Sequence, residues 1–211
     1  KGGFFRGPSH LALDREGNLH VTDADNGRIE VFSGEGVFVR EYGRANVGVP
    51  LKEPYGICAG TDGNLYVADR DLGRILVFAP NGSQINVFSK PGSNPGELSS
   101  PRGIAVGTEG RIFVADTGNR RVSVFSNQGV FLYAIDASWD KKAELDEPVD
   151  VAVDPAGNVF ILDEGKKRVL VLDRSGNFVR QMVGSAIGVN KPAALAVDRS
   201  GSVAILDGGN Q

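Results

Sequence analysis

Five short apolar segments of this 211-residue chain end in an aspartate, and these carboxylates are its most regular chemically active groups. They are Asp23, Asp69, Asp116, Asp163 and Asp207. The first four are each followed, five residues later, by Arg28, Arg74, Arg121 and Arg168. A ring of carboxylates could bind Ca²⁺, but that ion needs several oxygens converging on one point, which spacing alone does not establish. Because the pattern recurs along the chain, we expect each aspartate to cap the turn that follows it and to pair with its arginine.

Histidine and cysteine, the usual zinc ligands, are scarce. The chain has His10, His20 and Cys58, whereas a zinc enzyme site takes about three such ligands with an acid. His20 lies where other copies of the repeat carry Tyr66 or Phe113, so we expect it to pack in the core. His10 remains a candidate binding residue. The sequence contains no nucleophile elbow, phosphate loop or zinc-protease motif, and it predicts no catalytic set of residues.

The composition indicates a chain with many tight turns. Glycine accounts for 29 of 211 residues, about twice its usual share, which favours many short strands joined by hairpins. The net charge of −3 argues against nucleic acid as a partner. No apolar run approaches the roughly 18 residues of a membrane span. The chain begins at Lys1 with no initiator Met or signal peptide, so we expect a processed or partial chain. Its compartment stays open, with a periplasmic or secreted location favoured.

A repeat organises the whole chain. Each copy starts at a proline, and these prolines lie 46, 47, 47 and 44 residues apart at Pro8, Pro54, Pro101, Pro148 and Pro192. The repeats run over residues 8–53, 54–100, 101–147, 148–191 and 192–211. Each copy predicts strands of four to six residues, with small residues in the first strand at Ala12, Cys58, Ala105, Ala152 and Ala196. Small side chains suit an innermost strand, where such units converge on a central axis and bury each other's faces.

The best copy of the repeat is residues 101–125, PRGIAVGTEGRIFVADTGNRRVSVF. It resembles the NHL repeat, and the resemblance extends along the chain as four full copies and a fifth that ends at Gln211. The resemblance implies an all-β fold, namely a β-propeller of four-stranded blades, with residues 1–211 as one partial propeller domain. NHL proteins usually have six blades, so we expect six in the complete molecule and four and a half to five here.

The ends of the chain leave the number of blades open. The segment Gly3–Arg6 resembles the fourth strand of a preceding blade. The two ends could therefore complete one blade between them and give five blades with one strand missing. We favour six blades, of which about one and a half are absent from this chain, and a partner chain could also supply the remainder.

Two functions of different classes fit the resemblance, because this fold carries many activities. The first is a non-enzymatic module that binds a protein or cell-envelope partner, with a glycan or small ligand as further possibilities and nucleic acid disfavoured. The alternative is a metal-dependent enzyme at the axial opening, since related propellers include streptogramin lyases and gluconolactonases. Only the alternative needs a cofactor, which would be zinc or calcium. Stoichiometric metal in the purified protein would distinguish the two.

The predicted binding face carries the loops between repeats and the loops that join second and third strands. Four residues near the starts of repeats are expected to point towards the axial opening on this face: His10, Tyr55, Arg102 and Asp150. Trp139, the only tryptophan, lies among charged residues in the loop 136–147. Its side chain could anchor a partner, or it could fold over a blade edge as a plug.

Overall fold

The computed structural model describes residues 4–44, 48–183 and 188–209, and these ranges form five antiparallel sheets. The first sheet consists of β1 (Pro8–Leu13), β2 (Leu19–Asp23), β3 (Arg28–Phe32) and β4 (Phe38–Tyr42). The second consists of β5 (Pro54–Ala59), β6 (Leu65–Asp69), β7 (Arg74–Phe78) and β8 (Gln84–Phe88). The third consists of β9 (Pro101–Val106), β10 (Ile112–Asp116), β11 (Arg121–Phe125) and β12 (Phe131–Ile135). The fourth consists of β13 (Pro148–Val153), β14 (Val159–Asp163), β15 (Arg168–Leu172) and β16 (Phe178–Val183), and the fifth of β17 (Pro192–Val197) and β18 (Val203–Asp207).

Strands follow one another in chain order within every sheet because tight turns join them. The β3–β4 turn shows how. Gly36 donates its backbone N–H to the carbonyl of Ser33 at 2.8 Å and has a φ of 77°, a conformation that favours glycine. Helix within the described ranges is limited to the 3₁₀ turns Ala24–Asn26, Thr117–Asn119 and Lys141–Ala143. No helix in this part of the chain is long and apolar enough to cross a membrane.

Each sheet packs face to face on the next, so the sheets are the blades of a propeller. The first strand of each blade contacts the first strand of the next, which places these strands around the axis as expected. One apolar cluster fills each interface; Ala12 and Ile29 of blade 1, for example, pack against Ile57 and Leu76 of blade 2. Cys58 packs at the next interface, and burial raises the pKa of its thiol. Four of the five small residues of the first strands therefore contribute to packing, namely Ala12, Cys58, Ala105 and Ala152. Ala196 of blade 5 is exposed.

The loops between blades also contribute to the core, which the sequence did not lead us to expect. Leu51, Leu98 and Leu145 each lie three residues before a repeat proline and are at most 5% exposed. Each belongs to the apolar cluster between two blades. The spacing from the proline is the signal that could have identified them. These loops are therefore anchored at their ends, and only part of each is free to contact a partner.

The N-terminal segment is not the strand that the sequence suggested. Residues Phe4–Arg6 form no strand, and Gly3 lies outside the described residues. The backbone N–H of Arg6 instead donates to Asp23 at 2.7 Å, and the carbonyl of Arg6 accepts from Asp25 at 3.1 Å. The same contacts are made by the segments that enter the later blades. Residues 4–6 are therefore the entering segment of blade 1.

Blade 1 and blade 5 each turn one face away from the other described blades. Leu11 and Leu13 lie on the face of β1 opposite to Ala12 and are 64% and 61% exposed. On blade 5, Leu206 of β18 is 65% exposed. The number of blades in the complete molecule stays a prediction.

Candidate functional site at the axial opening

The aspartate at the end of each second strand fastens the segment that enters its blade. In blade 2, Asp69 accepts hydrogen bonds from the backbone N–H of Glu53 at 2.9 Å and from Arg74 Nη2 at 2.9 Å. In blade 3, Asp116 accepts from Ser99 N and Arg121 Nε, both at 2.7 Å. We call this arrangement the aspartate latch.

The latch confirms one half of the sequence-based expectation and corrects the other. The aspartate pairs with the predicted arginine in all four full blades. In these four blades, however, the backbone N–H groups that it caps lie 16 or 17 residues before it. The reason is the antiparallel pairing of the first two strands. The end of the second strand lies beside the start of the first, and so beside the segment that enters the blade. In blade 5, Asp207 also accepts the backbone N–H of Gly209, in the segment that follows it, at 3.3 Å.

The latch positions charged side chains around the axial opening. In blades 2, 4 and 5 the latch aspartate accepts the backbone N–H of the residue directly before the first strand. These residues are Glu53, Glu147 and Lys191. Arg70 and Glu164 directly follow latch aspartates. These residues therefore surround the opening on rigid ends of strands and not on free loops.

Arg102 is the central side chain of the opening. Its Nη2 lies 3.4 Å from Glu147 Oε1, and its Nη1 lies 3.6 Å from Glu164 Oε2. Its Nε is buried and has no hydrogen-bond partner in the described part of the chain. Arg102 also lines two cavities. One measures about 480 Å³ and includes Tyr55 and Lys191 in its lining; the other measures about 400 Å³.

Tyr55 lies beside Arg102 with other groups against its ring. The guanidinium carbon of Arg70 lies 5.2 Å from the ring centroid, a cation–π distance. The ring of His10 is also 5.2 Å away, at an interplanar angle of 51°. Arg70 Nε donates in turn to Glu53 at 2.9 Å. Tyr55 is therefore held in a fixed position.

His10 and Asp150 meet at the axis, although they belong to blades 1 and 4. His10 Nε2 lies 3.7 Å from Asp150 Oδ1. The carboxylate of Asp150 is itself fixed, because it accepts the backbone N–H groups of Val151 at 2.9 Å and Leu195 at 2.8 Å. Both ring nitrogens of His10 are buried without a hydrogen bond within the described residues. The structure thus places His10, Tyr55, Arg102 and Asp150 around one opening.

Trp139 lies apart from these four residues. Its ring stacks on Tyr133 of blade 3 at a centroid distance of 4.8 Å and an angle of 25°. Its Nε1 donates to the carbonyl of Gly176, in the β15–β16 turn at the opposite end of blade 4, at 3.0 Å. The side chain is 44% exposed. These are the contacts of a plug between two blades, and a role for Trp139 in binding stays a prediction.

We expect the substitution Trp139→Ala to lower the free energy of unfolding by about 1–3 kcal/mol, because it removes the stacking on Tyr133 and the bond to Gly176. Trp139→Phe keeps an aromatic ring and should lose about half as much. Urea denaturation of both variants measures the effect. Unchanged stability of the alanine variant would contradict the plug interpretation.

His20 packs in the core, as expected from its place in the repeat. It is fully buried, with Nδ1 2.9 Å from Tyr42 Oη and Nε2 3.1 Å from Asp14 Oδ2. Burial lowers the pKa of His20 despite the neighbouring carboxylate. The folded protein therefore holds this imidazole neutral at pH values where the unfolded chain already binds a proton.

This difference predicts a loss of stability in mild acid. As the pH falls through about 6.5, the usual histidine pKa, the unfolded chain binds a proton that folded His20 resists, so the free energy of unfolding falls. His20→Phe, which copies Phe113 of blade 3, should flatten this change between pH 7.5 and 5.5 in urea denaturation. Tyr66→Phe, at the equivalent position of blade 2, should keep it. Identical pH profiles for wild type and His20→Phe would contradict the assignment.

Metal ligands do not cluster among the described residues. In residues 4–44, 48–183 and 188–209, no group of three or more His, Cys, Asp and Glu side chains could hold a metal ion. His10 and Asp150 supply two candidate ligands, and both oxygens of Asp150 already accept backbone N–H groups. These residues do not fit a zinc or calcium site by themselves.

The blades pack around an axis, and their first strands lie nearest to it. This arrangement defines a β-propeller. Residues 98–125 match the family model described as NHL repeat, which confirms the resemblance seen in the sequence. No curated protein shows a significant match to the chain.

Several solved structures share the fold. A streptogramin B lyase is 16% identical, with a TM-score of 0.70, and the match covers 94% of this chain and 61% of that one. A chain of a nidogen/laminin complex is 22% identical, with a TM-score of 0.68 and coverage of 85% and 64%. A gluconolactonase from Xanthomonas campestris is 16% identical, with a TM-score of 0.74 and coverage of 95% and 69%. The chain thus spans less than two thirds of the first two proteins, and at these identities the similarity shows the fold alone.

Proposed function

We propose that this propeller is a non-enzymatic binding module that captures a protein partner, in solution or at the cell envelope, through its axial opening. The observation that carries the proposal is Arg102. Its side chain lines a cavity of about 480 Å³ and makes no hydrogen bond within the described residues, although it lies 3.4 and 3.6 Å from two carboxylates. The two Nη groups of a guanidinium carry four N–H donors, so a partner that enters the cavity can accept hydrogen bonds from them.

Two further features support a protein partner. The cavity is lined from several blades, by Tyr55, Arg102, Glu147, Glu164 and Lys191 among others, so its shape depends on the assembled propeller. The similarity to a chain of a nidogen/laminin complex also favours this class of partner. Nucleic acid is disfavoured, because cations and carboxylates alternate around the opening and form no basic stripe.

The alternative, a metal-dependent lyase or lactonase, rests on His10 and Asp150 at the axis and on the similarity to enzymes of those classes. The two side chains leave a metal short of ligands within the described residues. We therefore derive no reaction through a metal at this site.

The test is capture of partners by immobilised wild type and by the variant Arg102→Ala. We expect the variant to lose at least about 10-fold in recovery of a specific partner, as for a central interface arginine, with little change in stability. The matched control is Arg174→Ala, which breaks an exposed ion pair with Glu109 elsewhere on the surface. Quantitative mass spectrometry of the retained proteins gives the readout. Equal recovery by Arg102→Ala and wild type would refute the proposed site.

A further inference from the structure

The two cavities at the axial opening adjoin, because Arg102 lines both. On one side of Arg102 the lining includes Glu53, Arg70 and Asp71; on the other it includes Glu147, Glu164 and Lys191. We call the combined depression the axial groove. With cavities of about 400 and 480 Å³ on either side of one side chain, it suits an extended chain that crosses Arg102.

The axial groove has almost no net charge. Its cations are Arg70, Arg102 and Lys191, and its anions are Glu53, Asp71, Glu147 and Glu164. Lys52, 2.8 Å from Asp71, offsets the remaining negative charge from the rim. An anionic ligand would meet Glu147 and Glu164 beside Arg102, and a cationic ligand would meet Arg102 and Lys191. A ligand without net charge avoids both repulsions.

Hydrogen-bonding capacity is concentrated at Arg102. Arg70 already donates to Glu53, whereas Arg102 lies near two carboxylates without a hydrogen bond to either. In the described part of the chain, the carboxylates of Glu147 and Glu164 also accept no hydrogen bond. Arg102 therefore forms ion pairs with both carboxylates but no hydrogen bond, which leaves the hydrogen-bonding capacity of its Nη groups and of the carboxylates for a ligand. An amide, which carries an N–H donor and a C=O acceptor, complements both.

A peptide fits this groove better than a glycan. Sugar rings are commonly held against an open aromatic face, and Tyr55 is the aromatic residue of the lining. Its ring is already covered by Arg70 and approached by His10, at 5.2 Å in each case. What the groove offers is charged hydrogen-bonding groups, which suit amides.

We infer that the axial groove binds an extended, uncharged peptide segment with an amide group, from the backbone or from Asn or Gln, whose C=O accepts from Arg102 and whose N–H donates to Glu147 or Glu164. This inference rests on the proposed function and names the part of the partner that is recognised. It makes binding nearly independent of salt, since no net charge is neutralised.

The experiment selects peptides from a phage-displayed library of random linear heptapeptides on immobilised protein, followed by fluorescence anisotropy with the selected peptides. We expect uncharged sequences, with affinity changing less than about 3-fold between 50 and 500 mM NaCl. Arg102→Ala should weaken binding at least about 10-fold, and Arg174→Ala should leave it unchanged.

The variant Glu164→Ala distinguishes the ligand classes by the direction in which the binding affinity changes. An amide ligand loses an acceptor and should bind several-fold more weakly, whereas an anionic ligand loses a repulsion and should bind more tightly. Acidic or basic consensus peptides with strongly salt-dependent affinity would overturn the inference. So would binding of glycans but not peptides, or the absence of any peptide that depends on Arg102. In these cases an effect of Arg102→Ala on partner capture would still uphold the proposed function, which fails only if that effect is absent.

Discussion

Replacing Gly103 with alanine is expected to destabilise the propeller by about 3 kcal/mol, near the upper end for an overpacked core position. A Cβ at Gly103 would lie 2.6 Å from the Cα of Asp150, and still closer to its carboxylate. The obstacle includes the backbone of the neighbouring blade, which a side-chain rotation cannot remove. The distance between the first strands of blades 3 and 4 would therefore have to increase.

Urea denaturation of Gly103→Ala tests this expectation against Gly34→Ala. At Gly34 the nearest atom to an added Cβ is the carbonyl oxygen of Gly17 at 3.6 Å, an ordinary contact. The control should change the free energy of unfolding by less than about 1 kcal/mol. Equal effects of the two substitutions would show that the first strands are not packed as closely as the structure indicates.

The substitution Asp116→Ala is expected to cost about 3–5 kcal/mol, because it leaves the charge of Arg121 without its partner in a nearly buried site. Asp116 is fully buried and also accepts hydrogen bonds from the backbone of Ser99 and the side chain of Asn119. Asp116→Asn keeps one acceptor oxygen and removes the charge. We expect it to lose less than the alanine variant and to remain folded for measurement.

Asp173→Ala is the matched control for the latch. Asp173 also accepts backbone N–H groups, from Ser175 at 2.8 Å and Asn177 at 2.9 Å, but it lies in an exposed hairpin turn. Its removal should cost about 1 kcal/mol, the usual worth of such hydrogen bonds. If chemical denaturation gave similar losses for Asp116→Ala and Asp173→Ala, the latch would have no special role in stability.

The strands could be predicted from the sequence because the same strand pattern recurs in each copy of the repeat. Weak evidence for one strand, such as Phe178–Val183, is reinforced by its counterparts in other copies. The pairing of Asp69 with Arg74 was likewise predictable, since the two residues face each other across one short turn. The partner of Asp69 in the entering segment was missed, because the local sequence does not show which segment lies beside the end of a strand.

The candidate site was predicted in part. Position in the repeat placed Tyr55 and Arg102 at the axial opening, because every blade presents the same position there. Position in the repeat did not reveal that Glu147 and Glu164 approach Arg102, since this depends on how the next blade is oriented. The plug position of Trp139 could not be chosen over a binding role for the same reason, since one of its contacts, the carbonyl of Gly176, belongs to the next blade.

The aspartate latch also bears on the conformational entropy lost in folding. Each latch closes a loop of 16 or 17 residues, so the conformational entropy lost on closing it is small and nearly the same in each blade. The meeting of His10 with Asp150, in contrast, joins blades 1 and 4 and requires the curvature of the intervening chain. The entropy lost on closing a loop grows with its length, so each latch loses less than the meeting of His10 with Asp150. Each blade therefore carries the contacts that fasten its own entering segment, whereas the axis needs several blades at once.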